Sequence, residues 1–277
     1  MKRAYVAIRE APLYRREAFV AGLKACCYDV HVGTPQAFDC NTVFVCWNRY
    51  HENHIACSHV ESAGGTVLIA ENGYLLPGGG SPHHAPVREW FALARGYHND
   101  DSVIPEGDAS RWDALGVELN PWRTDGGHVL VCPNRSFGTP GRFMPVGWAD
   151  DVAARLKKIT KREVRIRPHP GNNAPVKPLA EDLAGAWATV IWSSSAGAHS
   201  LVAGVPVICE APHWICKAAA YSGIEFVLTE KPEYDIDRER ALHRLAWANW
   251  SLAEIQSGES FDHLLRRTSK EEVRAAD

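Results

Sequence analysis

Two short polar stretches, each directly following an apolar run, have the residue types of an anion-binding site. Arg167 and His169 stand in RPHPG after the run EVRI, and a serine- and glycine-rich turn follows the run WATVIW. The residues of that turn are Ser193, Ser194, Ser195 and Gly197, and a helix is expected from about Ala196 to Ala203. Free backbone N–H groups at a helix start, with hydroxyls and cationic side chains nearby, favour a phosphate. The sequence therefore predicts a diphosphate site, and hence a nucleotide-linked donor.

A third turn of this half, and several in the first half, carry further polar residues. Arg135 follows the run HVLVC, where it could pair with phosphate through two parallel hydrogen bonds or brace two lobes of the protein. In the first half, the residues that follow apolar runs are Arg9, Glu10, Trp47, Asn48, Arg49, Glu71 and Asn72. Together these residues predict a second part of the binding site, formed by the first half of the chain. For any single residue among them, helix capping or loop hydrogen bonding is an equally good explanation.

The apolar runs have the length of buried parallel strands, and helical or turn segments link them. The expected strands are Ala4 to Ile8, Tyr28 to Val32, Thr42 to Trp47, Thr66 to Ala70, His128 to Cys132, Val164 to Arg167 and Ala188 to Trp192, with an edge strand at Glu225 to Leu228. The longer expected helices are Arg15 to Ala25, Trp148 to Lys158 and Arg238 to Ile255. This alternation predicts an α/β fold in which ligands bind outside the carboxyl ends of the strands.

Composition excludes several classes of protein. The chain has 277 residues, 45% of them hydrophobic and 23% charged, which is ordinary for a globular protein. A net charge of −3 argues against a strongly basic nucleic-acid-binding surface, although a local patch would suffice for DNA. The eight cysteines form no CxxC, and Cys46, Cys132 and Cys209 lie in or at the end of strand runs, so we expect buried thiols and no metal site. The sequence has neither a signal-peptide pattern nor an apolar run near the about 20 residues of a membrane helix, which predicts a cytoplasmic protein with no membrane partner.

The pair RPHPG and SSSAGAHSLVAGVPVI resembles the donor half of GT-B-type glycosyltransferases, particularly the branch with capsule-polysaccharide and phage-encoded enzymes. A longer series of motifs is similar to phage-encoded sugar transferases that act on hydroxymethylated pyrimidines of DNA. In chain order these are Trp47–Tyr50, Glu71–Tyr74, His98–Asn99, Pro121–Arg123, Asn134–Gly138, Met144–Ala149, Arg167–Gly171 and the segment WANWSLAEIQSGES. The chain departs from the family at one point, because Asp100 and Asp101 follow His98–Asn99 where that family usually has Gly.

The resemblance implies two Rossmann-like domains that face a central cleft. Residues 1–125 would bind the acceptor, residues 126–240 the nucleotide-sugar donor, and residues 241–277 would carry a C-terminal helix back onto the first domain. It further implies transfer of a hexose-type sugar from a nucleoside-diphosphate sugar, with a UDP-sugar favoured, to the hydroxymethyl group of a pyrimidine in DNA. The setting would be the cytoplasm of a phage-infected bacterium.

The resemblance also assigns roles to the polar residues. The donor would be bound by Arg135, Arg167, His169, Ser193, Ser194, Ser195 and Gly197, and the acceptor by Arg9, Glu10, Trp47, Asn48, Arg49 and Asn72. His169 would also stabilise the leaving diphosphate, and the base that deprotonates the acceptor would be His98, followed by Glu71, with Glu10 and Asp101 as further candidates. The resemblance implies that no prosthetic group is needed and that the mechanism is metal-free.

Three alternatives remain open at this stage. The same fold could serve a transferase that acts on capsule or cell-wall glycans, or a sugar-nucleotide epimerase that needs no acceptor. A nucleotide-binding module without catalytic activity is the third. The sequence leaves the oligomeric state undetermined.

Overall fold

The structure is a computed structural model that describes residues 2–75, 89–99, 104, 107–170, 177–228 and 237–266. These residues form two compact units. The first takes in the described residues of Met1–His98, Ser102–Asp108 and Trp247–Asp277, and the second those of Asn99–Asp101 and Ala109–Ala246. The sequence analysis assigned residues 109–125 to the first domain, whereas the structure places them in the second unit.

The described residues contain ten strands in two sheets. In chain order they are β1 Arg3–Ala7, β2 Asp29–Val32, β3 Thr42–Trp47, β4 Thr66–Asn72, β5 Trp90–Arg95, β6 His128–Cys132, β7 Glu163–Ile166, β8 Ala186–Ile191, β9 Val207–Cys209 and β10 Asn249–Ser251. The first unit has the order β10-β5-β4-β3-β1-β2, and the second has the order β7-β6-β8-β9. Strands β1 to β4 are mutually parallel, and β5 is antiparallel to both of its neighbours, β4 and β10. The second sheet is parallel throughout.

The same part of the chain contains nine α-helices. They are α1 Arg16–Ala25, α2 Glu52–Ser62, α3 Ser110–Leu115, α4 Trp148–Ile159, α5 Leu179–Leu183, α6 Ala196–Val202, α7 Arg238–Ala246, α8 Leu252–Ser257 and α9 Glu259–Leu264. None of the described helices is long and apolar enough to cross a bilayer.

Strand burial follows position in each sheet. Every residue of the inner strands β6 and β8 is buried, whereas the edge strand β7 is largely exposed. Strands covered by helices on both faces need continuous apolar runs, and HVLVC and AWATVI supply them. Cys132 ends the first of these runs, Cys46 lies in β3 and Cys209 in β9, and all three are buried free thiols, as expected.

Each sheet has a point where the chain changes the direction in which it adds strands. In the first unit β2 lies on one side of β1, and β3 and β4 lie on the other. In the second unit β7 lies on one side of β6, and β8 and β9 lie on the other. The two switch points therefore fall between β1 and β3 and between β6 and β8. In open α/β sheets such points leave a crevice at the carboxyl ends of the strands, where ligands bind.

The C-terminal segment completes the first unit. β10 pairs antiparallel with β5, with Asn249 opposite Ala92. Helices α8 and α9 contribute Ile255 and Phe261 to a core cluster that also contains residues of β1, β3, β4, β5 and α1. At Gly22 of α1, a Cβ would lie 1.8 Å from the Ile255 carbonyl oxygen, so only glycine permits this close approach of α1 and α8.

Two predicted elements are wrong. The helix expected from Arg238 to Ile255 is interrupted by β10, because residues 249–251 satisfy their backbone groups on β5 instead. A capping box then restarts the helix: Ser251 Oγ accepts the Glu254 N–H, and the Glu254 carboxylate accepts the Ser251 N–H at 2.7 Å. The edge strand expected at 225–228 is a 3-10 turn, Ile224–Leu228, which buries Ile224 and Val227 at i,i+3 spacing.

Candidate functional site

The carboxyl edge of the second sheet brings together the turns in which the donor-binding residues were predicted. Asn134 and Arg135 follow β6, Arg167 and His169 follow β7, and the serine turn follows β8. Because β6 lies between β7 and β8, the three turns are neighbours. Asn134 joins two of them across the switch point, since its Oδ1 accepts the Ser193 N–H at 3.1 Å.

Arg167, a predicted donor-binding residue, is already paired within the second unit. Its guanidinium forms an ion pair with Asp182 of α5 and donates to the Lys177 carbonyl at 2.7 Å. The Arg167 side chain is only 10% exposed. Since its charge is already neutralised, we interpret Arg167 as a brace between the end of β7 and α5 rather than as a phosphate ligand.

Arg135 is the exposed cation at this edge. Its guanidinium carbon lies 4.5 Å from the centroid of the Phe137 ring, which is the geometry of a cation–π contact. Within the described part of the chain, Arg135 forms no ion pair with a carboxylate. The charge of Arg135 is therefore available to an incoming anion.

His169 is uncharged at neutral pH. Burial, and next the repulsion from Arg135, lower the pKa of His169 to about 4. The repulsion indicates that Arg135 and His169 lie near one another. An anion bound beside both side chains would oppose these effects and raise the pKa of His169. Until then the imidazole can serve as a neutral hydrogen-bonding group.

The serine turn leads into α6 and differs in detail from the prediction. The Ala196 N–H bonds to Ser194 Oγ at 3.3 Å, and the N–H groups of Gly197 and Ala198 bond to the carbonyls of Ser194 and Ser195, each at 3.0 Å. These backbone donors are used within the turn, so a ligand here would meet the exposed Ser195 and the half-buried Ser193 rather than a free helix end. Gly197 is buried, and a Cβ there would lie 2.6 Å from Ile191 and 2.7 Å from Trp214. Glycine is therefore needed at this position because Ile191 and Trp214 pack too closely to leave room for a side chain.

The sequence analysis missed several residues that shape this edge. The loop between β6 and α4 exposes Phe137, Phe143 and Val146. The same loop is fixed through the Arg142 carbonyl, which accepts from Trp192 Nε1 at 3.0 Å and lies 3.1 Å from His213 Nε2. Beyond β9, the carboxylate of Glu210 is held at 2.7 Å by both Trp148 Nε1 and the Arg155 guanidinium. Only Asn134 could have been found from sequence, since it stands beside Arg135 in the matched motif.

In the first unit, two predicted acceptor residues prove structural. Arg49 is buried, pairs with both carboxylate oxygens of Glu61 at 2.6 and 2.5 Å, and donates to the Gly96 carbonyl at 2.7 Å. Trp47 packs edge-on against Tyr14 at 4.9 Å and Phe91 at 6.3 Å between ring centroids. These contacts bury Arg49 and hold the half-buried Trp47 against the core of the first unit.

Other predicted acceptor residues do line the carboxyl edge of the first sheet. Arg9 is exposed after β1, and Glu10 pairs with Arg16 at 2.9 Å. Asn48, with a φ of 66°, follows β3. At the end of β4, Glu71 Oε2 accepts the Asn72 N–H at 3.0 Å, and the buried Asn72 Oδ1 has no hydrogen-bond partner among the described residues.

His98 does not join Glu71 through the sheet. β5 runs antiparallel to β4, so Phe91 lies opposite Asn72 and Arg95 lies opposite Leu68. At about 3.3 Å per residue, the chain therefore leaves β5 roughly 13 Å along the sheet from the end of β4. His98 follows that exit, and its role as the base stays a prediction. Asn99 belongs to the second unit, where its side-chain amide donates to the Ser193 carbonyl. Asp100 and Asp101 lie outside the described residues.

Solved structures with the same fold were found, although no protein-family profile and no curated protein sequence matches the chain. One is the β-Kdo 2,7 transferase of KpsC from Thermosulfurimonas dismutans, with a TM-score of 0.57 and 12% identity over 95% of this chain and 100% of that one. Another is the β-Kdo 2,4 transferase of the same KpsC, with a TM-score of 0.53 and 14% identity over 90% of each chain. The chain thus has a glycosyltransferase-like α/β fold. The comparisons give no support to the predicted DNA acceptor.

Proposed function

We propose that this protein is a glycosyltransferase that uses a nucleotide-sugar donor and a saccharide acceptor of the capsule or cell-wall type. The observation that carries the proposal is the switch point of the second sheet, where Arg135, His169 and the serine turn meet. The likeness in fold to two Kdo transferases supports the same reaction class.

Arg135 and His169 have complementary roles in stabilising the leaving group. Sugar transfer from a nucleoside diphosphate develops negative charge on the departing phosphate oxygens. The Arg135 guanidinium supplies the positive charge, and the neutral His169 imidazole donates a hydrogen bond that strengthens as the charge grows. Protonation of His169 in the bound complex would add to this stabilisation. Ser193 and Ser195 are positioned to hydrogen-bond the same group.

The acceptor belongs on the first unit, at the carboxyl ends of β3 and β4. Asn48 offers both a donor and an acceptor to a sugar hydroxyl, and Asn72 follows at the end of the neighbouring strand β4. Glu71 is the general base in this arrangement because its carboxylate stands beside Asn72. His98 is the alternative base, since an imidazole titrates near neutral pH.

A second candidate acceptor is DNA that contains hydroxymethylpyrimidine. It is favoured by the ordered series of motifs from WNRY to RPHPG, which resembles that of the phage enzymes. The exposed Arg9 and Phe137 offer a cation for phosphate and a ring for stacking.

One incubation separates the candidate functions. The protein is mixed with a panel of nucleotide sugars, including UDP-sugars, and with either capsule-type oligosaccharides or hydroxymethylated duplex DNA, and the products are analysed by mass. A mass gain of one sugar on the oligosaccharide supports the proposal. A gain on the nucleoside would show instead that the acceptor is DNA. A changed sugar nucleotide without any acceptor would indicate an epimerase. If no donor is consumed in any mixture, the transferase proposal is wrong.

Arg135 provides the first mutational test. We expect Arg135→Ala to lower turnover about 10²–10³-fold, as is common when one preorganised stabiliser of developing charge is removed. The matched control is Arg165→Ala, because Arg165 is an exposed arginine on the neighbouring β7 that pairs with Glu163 at 2.6 Å. The control should keep near-normal turnover in the same donor-consumption assay. Equal activity of the two variants would show that Arg135 does not act in the site.

A further inference from the structure

The first unit has an open groove in which only Glu10 was given a role by the sequence analysis. Its volume is about 790 Å³, and it runs along α1 between the loop that follows β1 and the end of β2. Arg15, Arg16 and Lys24 line it together with apolar side chains that include Pro12, Val20 and Val32. The groove thus combines cations with an apolar floor.

The charges in this groove are available for exchange. Arg16 pairs with Glu10 at 2.9 Å and Arg15 pairs with Glu17 at 3.3 Å, but the two carboxylate side chains are 83% and 73% exposed. Such surface pairs contribute about 0–1 kcal/mol, so a ligand carboxylate can replace either partner. Lys24 is exposed in the last turn of α1 and forms no ion pair within the described residues.

The position of the groove links it to the acceptor end of the first sheet. The loop after β1 forms one wall, and β1 flanks the topological switch point of this unit. In the order β4-β3-β1, two strand spacings of about 4.8 Å separate the end of β4 from the end of β1. If the reacting end of a polymer lies at Glu71 and Asn72, the next units of that polymer would reach the groove.

We propose that this groove binds the body of an acidic polysaccharide acceptor. Uronate-type carboxylates pair with Arg15, Arg16 and Lys24, and the C–H faces of the sugar rings pack on Pro12, Val20 and Val32. The displaced Glu10 and Glu17 accept hydrogen bonds from sugar hydroxyls. The inference rests on the proposed function in taking the acceptor to be a saccharide.

The mixed charge of the groove favours a glycan over DNA. Duplex DNA carries one negative charge per about 1.7 Å of its axis and needs an almost uniformly basic surface. Here two carboxylates stand among three cations, and the whole chain has a net charge of −3. A polysaccharide has wider charge spacing and many hydroxyls between its charges. This pattern fits a groove in which cations and carboxylates are interspersed.

Direct binding of a defined probe, without any donor, tests the proposal. The probe is a linear galacturonate hexamer, and its comparisons are the neutral methyl ester of the same hexamer and a 12-base-pair DNA duplex. We expect the wild-type protein to bind the free acid more tightly than the ester or the duplex. Lys24→Gln should weaken binding about 2–5-fold, the value of one exposed charge pair. Lys24→Gln combined with Arg16→Gln should weaken it about 5–20-fold by the same reasoning.

The matched control is Lys158→Gln, since Lys158 is also an exposed lysine in the last turn of a helix, α4 of the second unit. It should bind the hexamer like the wild type. Equal binding of acid and ester, tighter binding of the duplex, or an equal effect of Lys24→Gln and Lys158→Gln would each overturn the proposal. Donor consumption is measured separately. If the hexamer binds in the expected pattern but no sugar is transferred, the transferase proposal is wrong and the groove proposal stands.

Discussion

Arg135 and Arg167 stand in similar places, each after a parallel strand of the second sheet, yet only Arg135 has an uncompensated charge. Arg167 is paired with Asp182, whereas Arg135 is exposed beside Phe137. Burial, and next the repulsion from Arg135, lower the pKa of His169 and so keep it neutral. At the scale of single residues, the described part of the candidate donor site therefore combines the exposed Arg135 guanidinium and an uncharged imidazole with the serine turn.

The His169 pKa makes a prediction about stability and pH. A histidine whose pKa falls from 6.5 to about 4 on folding favours the folded state only while it is neutral. Its contribution is therefore complete above about pH 6.5 and is lost as the pH falls toward 4. We expect the urea midpoint of the wild type to decrease between pH 7.5 and pH 5 by more than that of His169→Gln. His199, whose pKa is also lowered by burial, acts equally in both proteins. An identical pH dependence in the two proteins would contradict the assignment.

At the scale of elements, α5 is tied to the end of β7 through Arg167 and Asp182. The pair fixes the turn that carries His169, so the role of Arg167 in the site is indirect. The buried Gly197 acts in the same way, because it lets α6 pack closely on Trp214 and so sets the position of the serine turn.

Asp182→Asn tests whether Arg167 is a brace or a ligand. Loss of the charged partner should lower the free energy of unfolding by about 1–3 kcal/mol and, because the pair fixes the turn that carries His169, should not strengthen the binding of a nucleoside diphosphate. Glu181→Gln is the control, because Glu181 is an exposed acid in the first turn of the same helix. Urea unfolding and calorimetric titration with UDP give the two quantities. Tighter UDP binding by Asp182→Asn would mean that the freed Arg167 binds phosphate.

At the scale of the whole molecule, the first unit is assembled from both ends of the chain. Its sheet includes β10, and its core includes Trp250, Ile255, Phe261 and Leu264 from the last described segment. Contacts this distant in sequence are expected to slow folding, and the core of the unit is complete only when its C-terminal segment has packed.

Phe261→Ala is therefore expected to destabilise the first unit. Phe261 is fully buried, and its ring lies edge-on to Phe19 at 6.4 Å between centroids. Truncation of such a phenylalanine typically lowers stability by about 3–5 kcal/mol. Glu259→Gln, an exposed substitution in the same helix, serves as the control in urea unfolding followed by circular dichroism. If both variants unfold at the wild-type midpoint, the C-terminal segment does not hold the first unit together.

Local sequence pattern determined most of the strands of this protein, because a buried parallel strand requires a continuous apolar run and small polar residues end it. For the same reason the turns with Arg135, His169 and the serines could be placed at one sheet edge. Pattern failed where the outcome depends on distant partners. Residues 249–251 became a strand because β5 offered free backbone groups, and Arg49 became structural because Glu61 lies within reach of it.

The tertiary structure alone decided which of the predicted residues have charge or hydrogen-bonding capacity to spare. Arg167 and Arg135 look alike in sequence, and only the folded chain brings Asp182 to Arg167 and leaves Arg135 exposed. An ion pair or a pKa depends on what lies within a few ångströms, and that is fixed by the packing of elements far apart in the chain.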